Sequence, residues 1–124
     1  MLIKLNWITL RVRNLEASIH FYHNLLGLTV QRRFESRGRQ IAMLGLGETS
    51  ETSLELIEGS EQVLKPDAGI SIGYEVTSLD ETMKHLENMH IPILRGPVEP
   101  NPRLRFIYIA DPDGFEVQLA EHLK

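Results

Sequence analysis

Seven side chains in this sequence have the chemistry to hold or convert a small organic molecule: Trp7, Arg11, Glu55, Ser71, Phe106, Tyr108 and Gln118. The three rings would stack on planar or apolar groups, and the polar side chains would orient what lies between them. Glu55 is the candidate catalytic residue, since a carboxylate near aromatic walls can act as a general base. Other chemistries are thin. Cysteine is absent, which removes disulfides, thiolate nucleophiles and cysteine-held zinc together. The histidines are His20, His23, His85, His90 and His122. His20 and His23 stand three apart on a predicted helix, but His20 lies about 100° or more from that helix's apolar stripe, toward solvent. The other three sit off a stripe or near element ends, so each histidine reads as a surface or boundary residue rather than a metal ligand. Gly45-Leu46-Gly47 lacks the third glycine of a dinucleotide loop, and no Gly-x-Ser-x-Gly elbow is present.

The elements that must position these residues follow from periodicity. Ile8, Leu10 and Val12 alternate with Trp7, Thr9 and Arg11, which predicts a strand over 3–13. Asn14 offers a helix N-cap. Leu15, Ile19, Tyr22 and Leu26 form a helical stripe, and Gly27 stands where a left-handed C-cap belongs. Strands are predicted over 28–35, 39–46 and 53–58. A polar, proline-containing stretch at 60–68 reads as a linker, and the order then repeats at an offset of 64. Ile72 matches Ile8, Val76 matches Val12, Leu79 matches Leu15 and Asp80 matches Glu16. Ser78 and Glu81 make a capping box. Leu79, Met83 and Leu86 form the second stripe, and Pro92 is expected to stop the helix. Strands follow over 93–98, 104–110 and 115–119, the last two joined by Asp111-Pro112-Asp113-Gly114. The prediction is an α+β fold of two tandem βαβββ modules, 1–59 and 69–124, in a single domain with one helix packed on each sheet.

Strand parity then defines a second face. The helix side takes Ile8, Leu10, Val12, Ile107, Ile109, Val117 and Leu119, so the opposite side carries the seven residues named above. By the same parity Asn6, next to Trp7, points to the other face. Arg32, Arg33, Arg37 and Arg39 read as a solvated hairpin edge, and Arg103 and Arg105 as cations at the rim of the site.

At 124 residues, 42% apolar and 24% charged, the composition is that of an ordinary globular domain. A net charge of -4 opposes a general nucleic-acid surface. No apolar run approaches the roughly 20 residues that span a bilayer, and the start lacks the pattern of a signal peptide. The expectation is a cytoplasmic protein with neither nucleic acid nor membrane as partner.

The segments LRVRNLEASIHFYHNLLGL, SLELIEG and ADPDGFEVQLAE together resemble the vicinal oxygen chelate superfamily, which includes glyoxalase I, extradiol dioxygenases, fosfomycin resistance proteins and bleomycin-binding proteins. The resemblance covers nearly the whole chain. It implies paired βαβββ modules whose mixed sheets curl around a cleft, commonly completed by a second subunit. It also implies where a metal would sit: on the first and last strand of each module, at the positions held here by Trp7, Glu55, Ser71 and Gln118. Glyoxalase I would carry His, Glu, His and Glu there. Only Glu55 is a strong ligand, so the expectation is a site without a metal cofactor, with a divalent ion as the alternative. The position of Arg11 is commonly Arg in the glyoxalase type, where it helps hold the acidic end of the substrate.

The leading functional expectation is therefore a homodimeric binder of a small aromatic or apolar molecule. The alternatives are a glyoxalase-type lyase or isomerase using Glu55, and a dimerisation module whose cleft is filled by its own side chains.

Overall fold

The computed structural model describes residues 1, 3–47, 51–59 and 70–123. The expected linker, 60–68, lies outside the described residues, as do residues 48–50 of the turn before the fourth strand. The chain divides into two compact units, Met1–Leu64 and Lys65–Lys124. Unit 1 runs β1 (Ile8–Val12), α1 (Leu15–Ile19), a π-helical turn (His20–Leu25), β2 (Thr29–Ser36), β3 (Arg39–Gly45) and β4 (Thr52–Glu58). Unit 2 runs β5 (Ser71–Glu75), α2 (Leu79–Asn88), β6 (Arg95–Asn101), β7 (Leu104–Ala110) and β8 (Glu116–His122). The two sheets share one topology: strand orders β1-β4-β3-β2 and β5-β8-β7-β6, with the first strand parallel to the last and the rest antiparallel. The βαβββ module is thus realised twice in one chain, which gives the expected α+β architecture.

Each unit builds its core between helix and sheet. Leu10, Val12, Leu15, Ile19, Tyr22, Leu44, Leu54 and Leu56 are buried in unit 1, and Ile72, Leu79, Leu86, Ile107, Ile109, Val117 and Leu119 in unit 2. Each fully buried leucine or isoleucine contributes about 1.5–3 kcal/mol of transfer free energy, so these two stripes carry much of the stability. Both expected N-caps form: Asn14 Oδ1 accepts from Ala17 N at 2.9 Å, and Ser78 Oγ accepts from Glu81 N at 3.2 Å. A second, long-range cap accompanies each. Glu58 Oε1, at the end of β4, accepts from Leu15 N at 2.8 Å, and Glu121, near the end of β8, accepts from Leu79 N in the same way. Each last strand is thereby fastened to the exposed N–H groups of its own unit's helix, where a negative charge also suits the helix dipole.

The structure departs from the sequence expectation at several places; β6 runs Arg95–Asn101 rather than over 93–98, and β8 runs Glu116–His122 rather than over 115–119. The first strand begins at Ile8, not residue 3, because β1 has a single bonded neighbour, β4, whose register starts at Ile8 against Leu54; alternation without a paired strand leaves Ile3 and Leu5 exposed. The first helix widens after Ile19, with Leu26 N bonding back to Phe21 O. That i→i+5 spacing shifts the stripe, so Leu25 is buried where Leu26 was expected. The closing bonds are widened too, Gly27 N to His23 O and Leu28 N to Tyr22 O, with Gly27 at φ +85°. The second helix ends before Pro92. His90 takes the left-handed position at φ +59°, and the bonds His90 N to Glu87 O and Ile91 N to Leu86 O close a Schellman cap.

Candidate functional site

Opposite its helix, each sheet presents a row of four residues set by strand register. Across unit 1 the row is Thr9, Glu55, Met43 and Arg32. Across unit 2 it is Gly73, Gln118, Tyr108 and Arg95. The rows are equivalent strand by strand, and in both an arginine on the edge strand ends the row.

In unit 1, Glu55 is half-buried between Thr9, whose Oγ1 donates to its Oε1 at 2.8 Å, and the buried Met43. Arg32 lies with its guanidinium carbon 4.8 Å from the Phe34 ring centre, a cation–π contact at the edge of the sheet. Arg11, one strand pleat beyond Thr9, is exposed on the same face and has no ion-pair partner among the described residues. Trp7, just before β1 and 40% exposed, lines an open depression of about 250 Å³ with Leu5, Asn6, Leu46, Glu51, Thr52 and Ser53. Asn6 therefore lies beside Trp7 rather than on the other face: residues 3–7 are outside the strand, where period-two parity has no force.

In unit 2, Gln118 Nε2 donates to the Tyr108 hydroxyl at 3.1 Å. Gly73 leaves room for this carboxamide, since a Cβ there would sit 3.0 Å from Gln118 Oε1. Phe106 meets Tyr108 edge to face, centroids 5.6 Å apart at 84°. The Arg95 guanidinium carbon lies over that ring, 4.1 Å from its centre, and Arg95 pairs with Glu116. The hydrogen bond to Glu116 holds the guanidinium's proton more tightly than in an ordinary arginine. Ser71, opposite Glu116 in register, is exposed on this face. Parity thus places Phe106, Tyr108, Ser71 and Gln118 together in unit 2, and Arg11, Glu55 and the neighbouring Trp7 in unit 1. Alternation along β8 also put Glu116 on the side of Gln118, as found, but it did not single out Arg95 or Met43. Their signal is register across the sheet, which a single strand's alternation does not contain.

Two other expectations are revised. Arg105 does not reach this face: it pairs with Glu99 at 3.0 Å and Asp80 at 3.5 Å, and Asp80 is on α2. It shares the parity of Ile107, which is why it turns to the helix side. Arg33 likewise turns to the helix side, where it pairs with Glu16 on α1. Of the histidines, His23 is engaged locally, its Nδ1 donating to Leu28 O at 2.5 Å; a carbonyl only accepts, so the proton sits on Nδ1. Among the described residues no group of three or more His, Asp or Glu side chains is placed to hold a metal ion.

A family model described as Glyoxalase/Bleomycin resistance protein/Dioxygenase superfamily matches residues 4–119. The chain belongs to that superfamily. Among its relatives, the lactoylglutathione lyase of Neisseria meningitidis is 30% identical over 120 residues, covering 90% of this chain and 86% of that protein. The glyoxalase I of Leishmania major superposes with a TM-score of 0.80 at 26% identity, covering 96% of this chain and 86% of that one. An antibiotic-binding protein from a Streptomyces species superposes at 0.75 with 15% identity, covering 98% and 97%, and shares the fold.

The donor chemistry of the four positions that the resemblance implies as ligands, Trp7, Glu55, Ser71 and Gln118, can be tested on these residues. Hard and borderline divalent ions need several carboxylate or imidazole donors. Trp7 has no lone pair to give, Ser71 offers a neutral hydroxyl, and the carboxamide of Gln118 is bonded to Tyr108. Glu55 alone is anionic, and one of its oxygens already accepts from Thr9. The side chains at these four positions do not fit a divalent cation.

Proposed function

We propose that this superfamily member binds a small aromatic or apolar organic molecule without a metal ion. The observation that carries the reading is the donor set, one carboxylate where chelation needs several, joined to aromatic rings that stacking can use: Trp7 in unit 1 and the Phe106–Tyr108 pair in unit 2. Trp7, Phe106 and Tyr108 supply the ring surfaces, each good pair contributing about 0.5–1.5 kcal/mol beyond area burial. Arg11, Glu55, Ser71 and Gln118 set polarity and orientation. In this reading the protein works in the cytoplasm as a homodimer. The test is a panel of planar organic compounds read by Trp7 fluorescence and thermal shift. Binding that quenches or shifts Trp7 and weakens about tenfold in Trp7→Ala is expected; no response to any member of the panel overturns the reading.

A second reading is favoured by the relatives named lactoylglutathione lyase. It makes the chain a glyoxalase-type lyase or isomerase in which Glu55, aligned by Thr9, is the base. Metal analysis after mild purification, together with a lyase assay before and after Glu55→Gln, separates the two. A stoichiometric divalent ion, or a lyase activity lost in that variant, would replace the binder with the enzyme.

A further inference from the structure

The unit 2 row has a property that the unit 1 row lacks. The Tyr108 oxygen receives a hydrogen bond from Gln118 Nε2, and the Arg95 guanidinium lies over the face of its ring. With its oxygen accepting from the carboxamide, the phenol's own hydrogen is left to be given away, and among the described residues nothing is seen to accept it. The ring that carries it is held by two contacts, Phe106 at an edge-to-face angle and Arg95 over its face. The hydroxyl is therefore an oriented donor on the face opposite α2. In unit 1 the equivalent position is Met43, which has no such hydrogen.

The charge beside this donor decides what it takes. Arg95 is neutralised by Glu116, whose carboxylate lies on the same face two residues before Gln118 on β8. An anionic ligand group at Tyr108 would meet that carboxylate, whereas a neutral acceptor would not. We propose that the Arg95–Tyr108–Gln118 row anchors an uncharged carbonyl oxygen carried by a planar aromatic ligand, with Tyr108 as the donor that sets specificity. Arg95 and Gln118 are positioning residues: they act through the ring and the hydroxyl of Tyr108. This inference rests on the small-molecule reading above and names the ligand class.

The experiment uses the full chain, isotopically labelled, with three matched probes: 2-acetonaphthone, 2-isopropenylnaphthalene and 2-naphthoate. The first two have the same shape and differ by the carbonyl oxygen; the third adds a charge. NMR titration reads the Gln118 carboxamide and the Trp7 indole separately. Acetonaphthone is expected to bind about three- to tenfold tighter than the hydrocarbon, the net scale of one hydrogen bond, and to move the Gln118 carboxamide. Naphthoate is expected to bind more weakly than acetonaphthone and to gain in Glu116→Gln. Tyr108→Phe keeps the ring and should erase the ketone preference while hydrocarbon affinity stays within about twofold. Gln118→Leu gives an independent route, lowering the preference at least threefold with Tyr108 intact. Ketone preference unchanged in both variants, or shifts at Trp7 with none at Gln118, overturns the anchor and leaves the binder reading standing. No shift from any probe overturns both.

Discussion

Tyr74 shows how much a single side chain's surroundings decide. It sits on β5 opposite Leu119, which in turn stands opposite Ile107, on the helix side of the sheet, and burial pushes its phenol up from 10.0 to about 12. The phenol is neutral when protonated, so between the unfolded and folded values the unfolded chain releases a proton that the folded chain keeps. Stability from this group is fully present below about pH 10 and declines as the pH rises toward about 12. Two units correspond to an upper bound of about 3 kcal/mol, which the residue's partial exposure reduces to about 1–2 kcal/mol. Chemical denaturation at several pH values should show a steeper loss above pH 10 in the wild type than in Tyr74→Phe. Parallel curves would remove the assignment. The site residues were legible at this same scale where one strand's alternation was enough, as for Glu55, Tyr108 and Gln118. Glu116 follows from the same alternation as Gln118, but Arg95 does not, because its place depends on which residues of neighbouring strands stand opposite each other.

At the level of elements, local chemistry was readable and long-range chemistry was not. Asn14 and Ser78 are caps whose partners lie three residues away, and both were evident from sequence. The widened turn after Ile19 was not, since the spacing Leu15, Ile19, Tyr22, Leu26 suits an unbroken α-helix and only tertiary packing selects Leu25 instead. The caps from Glu58 and Glu121 span 43 and 42 residues. Their one trace in the sequence is a glutamate three positions after Glu55 and again three after Gln118. Removing such a cap leaves a part-buried N–H without its acceptor, a loss of about 1–2 kcal/mol. Glu58→Ala should lower the melting temperature by several degrees, measured by circular dichroism with the signal of the folded state unchanged. A melting point within one degree of wild type would show that Leu15 N finds another acceptor.

For the whole chain, the duplication seen at an offset of 64 became two units of one topology, and the parity read for β1, β4, β5, β7 and β8 carried through within the strands. Exposed apolar residues remain: Ile3, Leu5, Trp7 and Leu46 are all open to solvent, and three of them line the depression in unit 1. Covering such a group is a common reason for chains to associate. Light scattering across a hundredfold concentration range should give twice the 14.2 kDa chain mass, with Leu5→Asp shifting the population toward single chains. A single-chain mass at all concentrations would remove the homodimer. A dimer in which Trp7 is silent to every ligand would instead favour the dimerisation reading.

The fastening of each final strand also separates two jobs along its length. On β4 the helix is held by Glu58 while Glu55, an odd number of positions earlier, looks the other way; on β8 Glu121 and Gln118 repeat the division. A slip by one residue would lose both at once, but an exchange at 55 or 118 alone leaves the clasp untouched. The outward-looking positions of β4 and β8 are thus replaceable parts in a fixed mount, which is where new binding preferences could be written into this chain without redesigning what keeps it folded.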